Sequence, residues 1–172
     1  MEKRNSTTLF KGFVVNIEQV EVRMGEKGWH TYQIIRHPGG VAVLPLHEDG
    51  TVSLIRQLRP AAGAFLLELP AGRRDPGEEP AVCGMRELAE ETGLIAGKLE
   101  SLGTIYSSPG VMDEVIHLFL ATDLTQQTDN QEPYENIETL RIPIAEALEM
   151  ARDGRIADGK TIAALFRVWG RK

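Results

Sequence analysis

Apolar residues in this chain recur at every second position in short runs, and at helical spacing in only three places. That periodicity limits the fold more than any single residue does. Residues 13–17 and 20–23 read as strand pieces, and Gly25-Glu26-Lys27-Gly28 reads as a turn leading into a hairpin partner at 29–35. His37-Pro38-Gly39-Gly40 separates this opening sheet from the next strands. Runs 41–46 and 51–57 flank a His47-Glu48-Asp49-Gly50 turn and read as a second hairpin. Further strands fall at 65–69, 99–106, 115–121 and 137–142, with a polar stretch at 125–136. The first helical segment, 80–92, has Pro80 in its first turn and Gly93 at its stop. The second, 143–152, ends at Asp153-Gly154, and the third, 160–169, has Asp158 as its cap. Mixed strands with few helices imply an α/β sandwich and argue against a doubly wound parallel sheet.

At 172 residues the chain has the length of one domain. With 42% apolar and 26% charged residues it has a globular balance, and a domain of this size buries about 70% of its unfolded surface. A single cysteine, Cys83, excludes an internal disulfide and any cysteine-based zinc cluster. The longest apolar runs are strand-sized, so no membrane helix is expected. Met1-Glu2-Lys3-Arg4-Asn5-Ser6 lacks the apolar block of a signal peptide, and the expected location is cytoplasmic. Nineteen Lys and Arg stand against 25 Asp and Glu, a net charge of −6. Such a chain is expected to be a poor general binder of nucleic acid, and if it handles phosphates, to do so through bound cations.

On a helical wheel with Glu87 at zero, Glu90 and Glu91 share with it an arc of roughly 100°. Val82, Met85, Leu88 and Ala89 fall opposite, on the expected packing face, while Cys83 and Gly84 lie along the acidic side. An acidic helix face ordinarily meets solvent. Here Glu87 repels Glu90 and Glu91 at three and four residues' spacing, and the last two sit where the helix dipole disfavours anions. Local chemistry in conflict with its own helix points to function. Carboxylates on rigid helical spacing are hard oxygen ligands suited to Mg²⁺ or Mn²⁺.

Gly72-Arg73-Arg74-Asp75-Pro76-Gly77-Glu78, seven residues, and then Arg86-Glu87-Leu88-Ala89-Glu90-Glu91-Thr92-Gly93-Leu94 satisfy every specified position of the pattern G-x5-E-x7-R-E-U-x-E-E-x-G-U, with U aliphatic. The chain thus resembles the Nudix hydrolases. Arg56-Gln57-Leu58-Arg59-Pro60, Leu67-Glu68-Leu69-Pro70-Ala71-Gly72, Ser108-Pro109-Gly110 and Asp113-Glu114 are similar to the ADP-ribose pyrophosphatase branch, marked by a proline about fifteen residues past the box. Pro109 stands at that offset from Leu94. The late acidic run is thinner than in that branch and is interrupted by Pro133.

The resemblance implies an α/β/α sandwich with a mixed sheet and an additional N-terminal antiparallel sheet. It implies a single domain over 1–172, with 1–36 a dimerisation sheet and 37–172 the catalytic core. The implied activity is Mg²⁺-dependent hydrolysis of ADP-ribose to AMP and ribose 5-phosphate, with Mn²⁺ as a substitute metal. The alternatives are another nucleoside diphosphate sugar such as GDP-mannose, a nucleoside triphosphate, or binding without catalysis. Metal ligation falls to Glu87, Glu91, the Ala71 carbonyl and Glu90, with Arg86 orienting the glutamates through Glu78 or Glu90. Arg56, Arg59, Gly110 and Glu114 are implied substrate contacts. Trp29 is the aromatic proposed to stack on the base, ahead of Phe13 and Tyr32. Glu135, then Glu132, are the candidate general bases, and Glu138 is a fixed surface acid. Glu68 is a structural acid paired with an arginine, and His37 is a turn residue. The implied partner is a second copy of the chain.

Overall fold

The computed structural model describes residues 1–127 and 137–170. In chain order its elements are β1 (Lys3–Lys11), β2 (Asn16–Arg23), a 3₁₀ turn (Gly25–Lys27), β3 (Trp29–Arg36), β4 (Gly40–Pro45), β5 (Thr51–Arg59), β6 (Ala64–Glu68) and β7 (Ala71–Arg73). Then come α1 (Pro80–Thr92), β8 (Leu94–Tyr106), β9 (Val115–Gln126), β10 (Glu138–Pro143), α2 (Ile144–Asp153) and α3 (Gly159–Val168). The chain divides into two compact units, Met1–Gly39 with Tyr106–Val115, and Gly40–Ile105 with Ile116–Lys172.

The first unit carries the antiparallel sheet β1-β2-β3. β2 and β3 pair in unbroken register from Asn16↔Arg36 to Arg23↔Trp29, the hairpin that the alternation called for. β1 is not evident from sequence because it is exposed along its whole length and carries no buried alternation. The strand piece expected at 13–17 begins only at Asn16, because the Gly12 N–H donates to the Val15 carbonyl (3.0 Å) and closes a turn there. In the same unit the Ile35 N–H donates to the Val111 carbonyl (2.8 Å), and the Arg36 guanidinium meets Asp113 (2.8 Å).

The second unit holds two sheets, β7-β4-β9-β8 and β10-β5-β6. The first is mixed, since β4 runs parallel to β9 and antiparallel to β7. β4 is buried at all six positions, and its alternation splits the core in two. Val41 and Val43 pack with Cys83 and Leu88 of α1 and with Phe119. Ala42 and Leu44 pack with Ala147 and Leu148 of α2, Ala164 and Leu165 of α3, and Leu118. Helices therefore cover both faces of a mixed sheet, the α/β/α arrangement expected. Each fully buried Leu or Val contributes about 1.5–3 kcal/mol relative to an exposed one.

The second expected hairpin does not form. Runs 41–46 and 51–57 meet only at an isolated bridge, Leu46↔Val52, and belong to different sheets. The physical reason is that both sides of each strand are taken, by β7 and β9 for β4 and by β10 and β6 for β5. α1 has the bounds read from sequence, and Gly93 takes the left-handed conformation (φ 69°) that ends it, its N–H donating to Ala89 (2.8 Å). The Asp158 carboxylate caps α3 by accepting from the Thr161 N–H (3.0 Å), an interaction of about 1 kcal/mol. β8 and β9 run longer than expected, and the three-residue β7 carries too little pattern to be read. Among the described residues no helix is long and apolar enough to cross a membrane.

Candidate active site

The site is built where β7 hands the chain to α1. Leu69, Pro70 and Ala71 are tied main chain first. The Leu69 N–H donates to Thr161 Oγ1 (2.8 Å), the Pro70 carbonyl accepts from the Val43 N–H (2.9 Å), and the Ala71 N–H donates to Glu91 Oε2 (2.8 Å). Three elements, α3, β4 and α1, thus hold three consecutive residues.

Gly72 comes next, and its identity is dictated by α1. A Cβ built there would lie 2.0 Å from both the carboxyl carbon and Oε1 of Glu87. The Glu87 carboxylate occupies the volume that any side chain at position 72 would need. The connection to α1 is a turn in which the Glu78 N–H donates to the Asp75 carbonyl (3.0 Å) and the Asp75 N–H donates to Glu78 Oε2 (3.0 Å).

Arg86 is the hub. Its Nε and Nη2 reach the two Glu78 oxygens at 3.0 and 3.1 Å, and its Nη1 donates to Glu87 (2.7 Å) and Glu90 (3.0 Å). One guanidinium thereby joins three carboxylates, and Arg86, expected to reach Glu78 or Glu90, reaches both. The hydrogen bonds from Arg86 and from the Asp75 N–H hold the Glu78 carboxyl down to about 2. The bonds to Glu78 raise Arg86 further above its ordinary value, so it stays charged throughout. Burial pushes the Cys83 thiol up to about 12, which makes it inert.

The packing face of α1 differs from the one expected. Cys83, Gly84, Leu88, Glu91 and Thr92 are the buried positions of α1, whereas Val82 is 59% exposed. The face is therefore centred near the glutamates and not opposite them, and Glu91 is only 6% exposed. Cys83 and Gly84 are small enough for close approach, and a Cβ on Gly84 would meet Val43 Cγ2 at 3.2 Å. Buried carboxylates are tolerable on that face because donors meet them, the Ala71 N–H at Glu91 and Arg86 at Glu87.

The other expected residues are spread over both units. Arg59 is clamped by Glu68 through two 2.8 Å bonds from Nε and Nη2, as expected of Glu68. Arg56 lies three positions away on β5 and so on the other face, over the Phe65 ring at 4.4 Å and 3.6 Å from Glu138. Trp29, Gly110 and Glu114 belong to the other compact unit. There Arg4 covers the Trp29 ring at 4.2 Å, and Glu114 lies 3.1 Å from His37 Nδ1, which also accepts the Gly39 N–H (3.1 Å). A Cβ on Gly110 would meet nothing within 4 Å. Glu132 and Glu135 lie outside the described residues. Lys160 and Thr161 are not evident from sequence. Their one available signal is their position two and three residues past the Asp158 cap.

Chemically, the cluster offers hard oxygen donors suited to a divalent cation, on rigid helical spacing, with the Glu87 carboxylate seated directly against Gly72. Among the described residues no three His, Cys, Asp or Glu side chains converge as a ready cage, because Arg86 draws Glu87 and Glu90 onto itself. A cation binding here must compete with that guanidinium.

Glu78 makes the hub acid-sensitive. Its carboxyl ionises near 4.5 ordinarily and near 2 in the folded chain. Above 4.5 the stabilisation is fully present, and it is lost as pH falls toward about 2, because the unfolded chain takes up a proton that the folded chain refuses. Glu78→Gln is expected to flatten this leg of the stability curve, read as urea midpoints from neutral pH to about 2. Parallel acid loss in both proteins would remove Glu78 from that role.

The NUDIX domain profile matches residues 36–165. The chain is 35% identical over 161 residues to an ADP-ribose pyrophosphatase of Bacillus subtilis, covering 91% of this chain and 86% of that one. It is 37% identical over 155 residues to a GDP-mannose pyrophosphatase of Escherichia coli, covering 82% and 78%. A crystal structure of an ADP compounds hydrolase shares the fold at a TM-score of 0.83 and 24% identity, over 97% of this chain and 91% of that one. The complete box, the glutamate-bearing helix packed on Gly72 and these matches together establish that the chain belongs to the Nudix hydrolase family.

Proposed function

We propose that this Nudix pyrophosphatase hydrolyses ADP-ribose to AMP and ribose 5-phosphate with Mg²⁺. The observation that carries the reading is the seating of Glu87 against Gly72 and of Glu91 on the Ala71 N–H, which sets these two box carboxylates beside the Ala71–Gly72 main chain. The substrate is inferred from the 35% relationship to an ADP-ribose pyrophosphatase. The 37% relationship to a GDP-mannose pyrophosphatase supports GDP-mannose as the second reading.

Nudix hydrolases are generally dependent on divalent metal. Glu87, Glu91, Glu90 and the Ala71 carbonyl would hold the ion, which supplies charge neutralisation to two phosphates and Lewis acidity. Arg86 holds Glu87 and Glu90 in place, and Arg59 presents a guanidinium to the pyrophosphate. Arg56, and in the other unit Gly110, Glu114 and Trp29, are further proposed substrate contacts, each inferred from the resemblance. Water attacks one phosphorus and loses its proton to a carboxylate, with no covalent enzyme intermediate.

A panel of ADP-ribose, GDP-mannose and nucleoside triphosphates with Mg²⁺, read as AMP, GMP and phosphate release, tests the substrate. ADP-ribose is expected to give the highest kcat/KM, and a triphosphate preference would overturn the reading. Glu87→Gln, Glu91→Gln and Gly72→Ala are each expected to lower kcat by about 10²-fold or more and to weaken the rise of Tm with Mg²⁺. Near-normal turnover at saturating Mg²⁺ in either glutamate variant would remove that residue from the ligand set.

For the proton acceptor we propose Glu135 ahead of Glu132. In sequence Glu132 precedes Pro133, a position biased away from the α region, whereas Glu135 does not precede a proline and stands two residues before Ile137. Glu135→Gln is expected to cut kcat about 10²- to 10⁴-fold with little change in KM, and Glu132→Gln much less. The reverse ranking would reassign the base.

The N-terminal sheet is proposed to pair two copies of the chain. Leu9, Phe10, Phe13 and Val14 are exposed apolar residues in and beside β1, the kind of surface an interface covers. Sedimentation at micromolar concentration is expected to give a dimer, and an active monomer would exclude it.

A further inference from the structure

Behind Arg59 lies a group of charges that the proposed chemistry does not use. Glu68, at the end of β6, is 1% exposed. It receives Arg59 through two 2.8 Å hydrogen bonds and also receives the Lys160 ammonium. Lys160 reaches Asp158 Oδ1 at 3.0 Å, while Asp158 Oδ2 accepts from the Thr161 N–H and, at 2.6 Å, from its hydroxyl. Thr161 Oγ1 in turn accepts the Leu69 N–H, next in sequence to Glu68.

Two cations and two anions therefore balance, and they are graded in depth. The Glu68 side chain is 1% exposed, Lys160 12%, and Arg59 37%. Burial works to raise Glu68, but Arg59 and Lys160 outweigh it and keep the carboxyl below its ordinary value, so it is ionised. An ionised carboxylate that deep would cancel the charge of the one guanidinium it clamps. Lys160 supplies the second positive charge from the buried side, where solvent screens least.

We propose that Lys160 is a positioning residue for Arg59. By balancing the buried Glu68 it leaves the clamped guanidinium with net positive charge toward a substrate pyrophosphate. This rests on the reading of Arg59 as a pyrophosphate contact. Without Lys160 the group carries net negative charge, and it repels the anion it should attract. The clamp fixes the geometry of Arg59, and Lys160 sets its charge.

The test is steady-state kinetics with ADP-ribose, or with whichever panel nucleotide is hydrolysed fastest, together with Tm. Lys160→Gln is expected to raise KM about tenfold while kcat stays within about twofold, and Lys160→Arg to keep KM near wild type. Asp158→Asn keeps a good helix cap but removes a negative charge, and is expected to lower KM about two- to threefold. In an Arg59→Gln background the Lys160→Gln increment in KM is expected to vanish, as coupling through Arg59 requires. A purely structural Lys160 would lower Tm and leave KM unchanged, or raise KM equally in both backgrounds. Either result overturns the proposal. If Lys160→Gln does not fold, Asp158→Asn decides, and an unchanged or raised KM overturns it. A raised KM in Arg59→Gln beside an unchanged one in Lys160→Gln defeats the inference alone. An unchanged KM in Arg59→Gln defeats the reading of Arg59 and the inference with it.

Discussion

The contact of Arg86 with three carboxylates governs the rest of the second unit. Like charges at 4 Å near a protein surface interact by about 4 kcal/mol at an effective dielectric of 20, so carboxylates at Glu87 and Glu90, three residues apart on one helix, need a counter-charge. Arg86 spans them and adds Glu78 from the preceding turn, converting mutual repulsion into a cross-link between turn and helix. With that repulsion answered, α1 can lay its acidic side inward on β7. Gly72 and Gly84 are the consequence, since each yields the volume of a side chain to the helix interface.

Rigidity arises from how the chain enters the box. Leu69, Pro70 and Ala71 lose their freedom to three different elements through main-chain hydrogen bonds. A main-chain oxygen can serve as a ligand only if its peptide is held, and two of these holds rest on side-chain acceptors, Thr161 Oγ1 and Glu91 Oε2. Thr161 carries one of these ties while it is itself fixed by Asp158, so the cap of α3 bears on the geometry of the site as well as on its own helix.

Legibility in the sequence tracks how local the determining physics is. α1 emerges with its observed bounds because Pro80 and Gly93 act within one turn of their positions. The box emerges because every specified residue lies within 72–94. The features that sequence does not reveal are non-local. The turn at 47–50 looks like a hairpin, yet strand partners are decided by which ladder sides remain open, and β4 and β5 have none for each other. A wheel weighted by hydrophobicity turns Val82 inward, whereas the close approach permitted by Cys83 and Gly84 sets the helix rotation. β1, polar and exposed, has no periodicity to find. Beyond its place two residues past the Asp158 cap, Lys160 gives no signal in sequence, because its buried partner Glu68 is 92 residues away.

The charge arrangement bears on the order in which a polyanion and a cation can bind. The chain carries net charge −6 and gathers Glu78, Glu87, Glu90 and Glu91 at the box, answered by Arg86, which itself stays charged. A pyrophosphate approaching that group without a cation meets a field of its own sign. A cation approaching alone must draw Glu87 and Glu90 from Arg86, which keeps Glu78 through Nε and Nη2. On the proposed reading the cation therefore lowers the electrostatic cost of bringing the pyrophosphate in. Binding of nucleotide and metal is then reciprocally coupled, each raising the affinity of the other by the same factor.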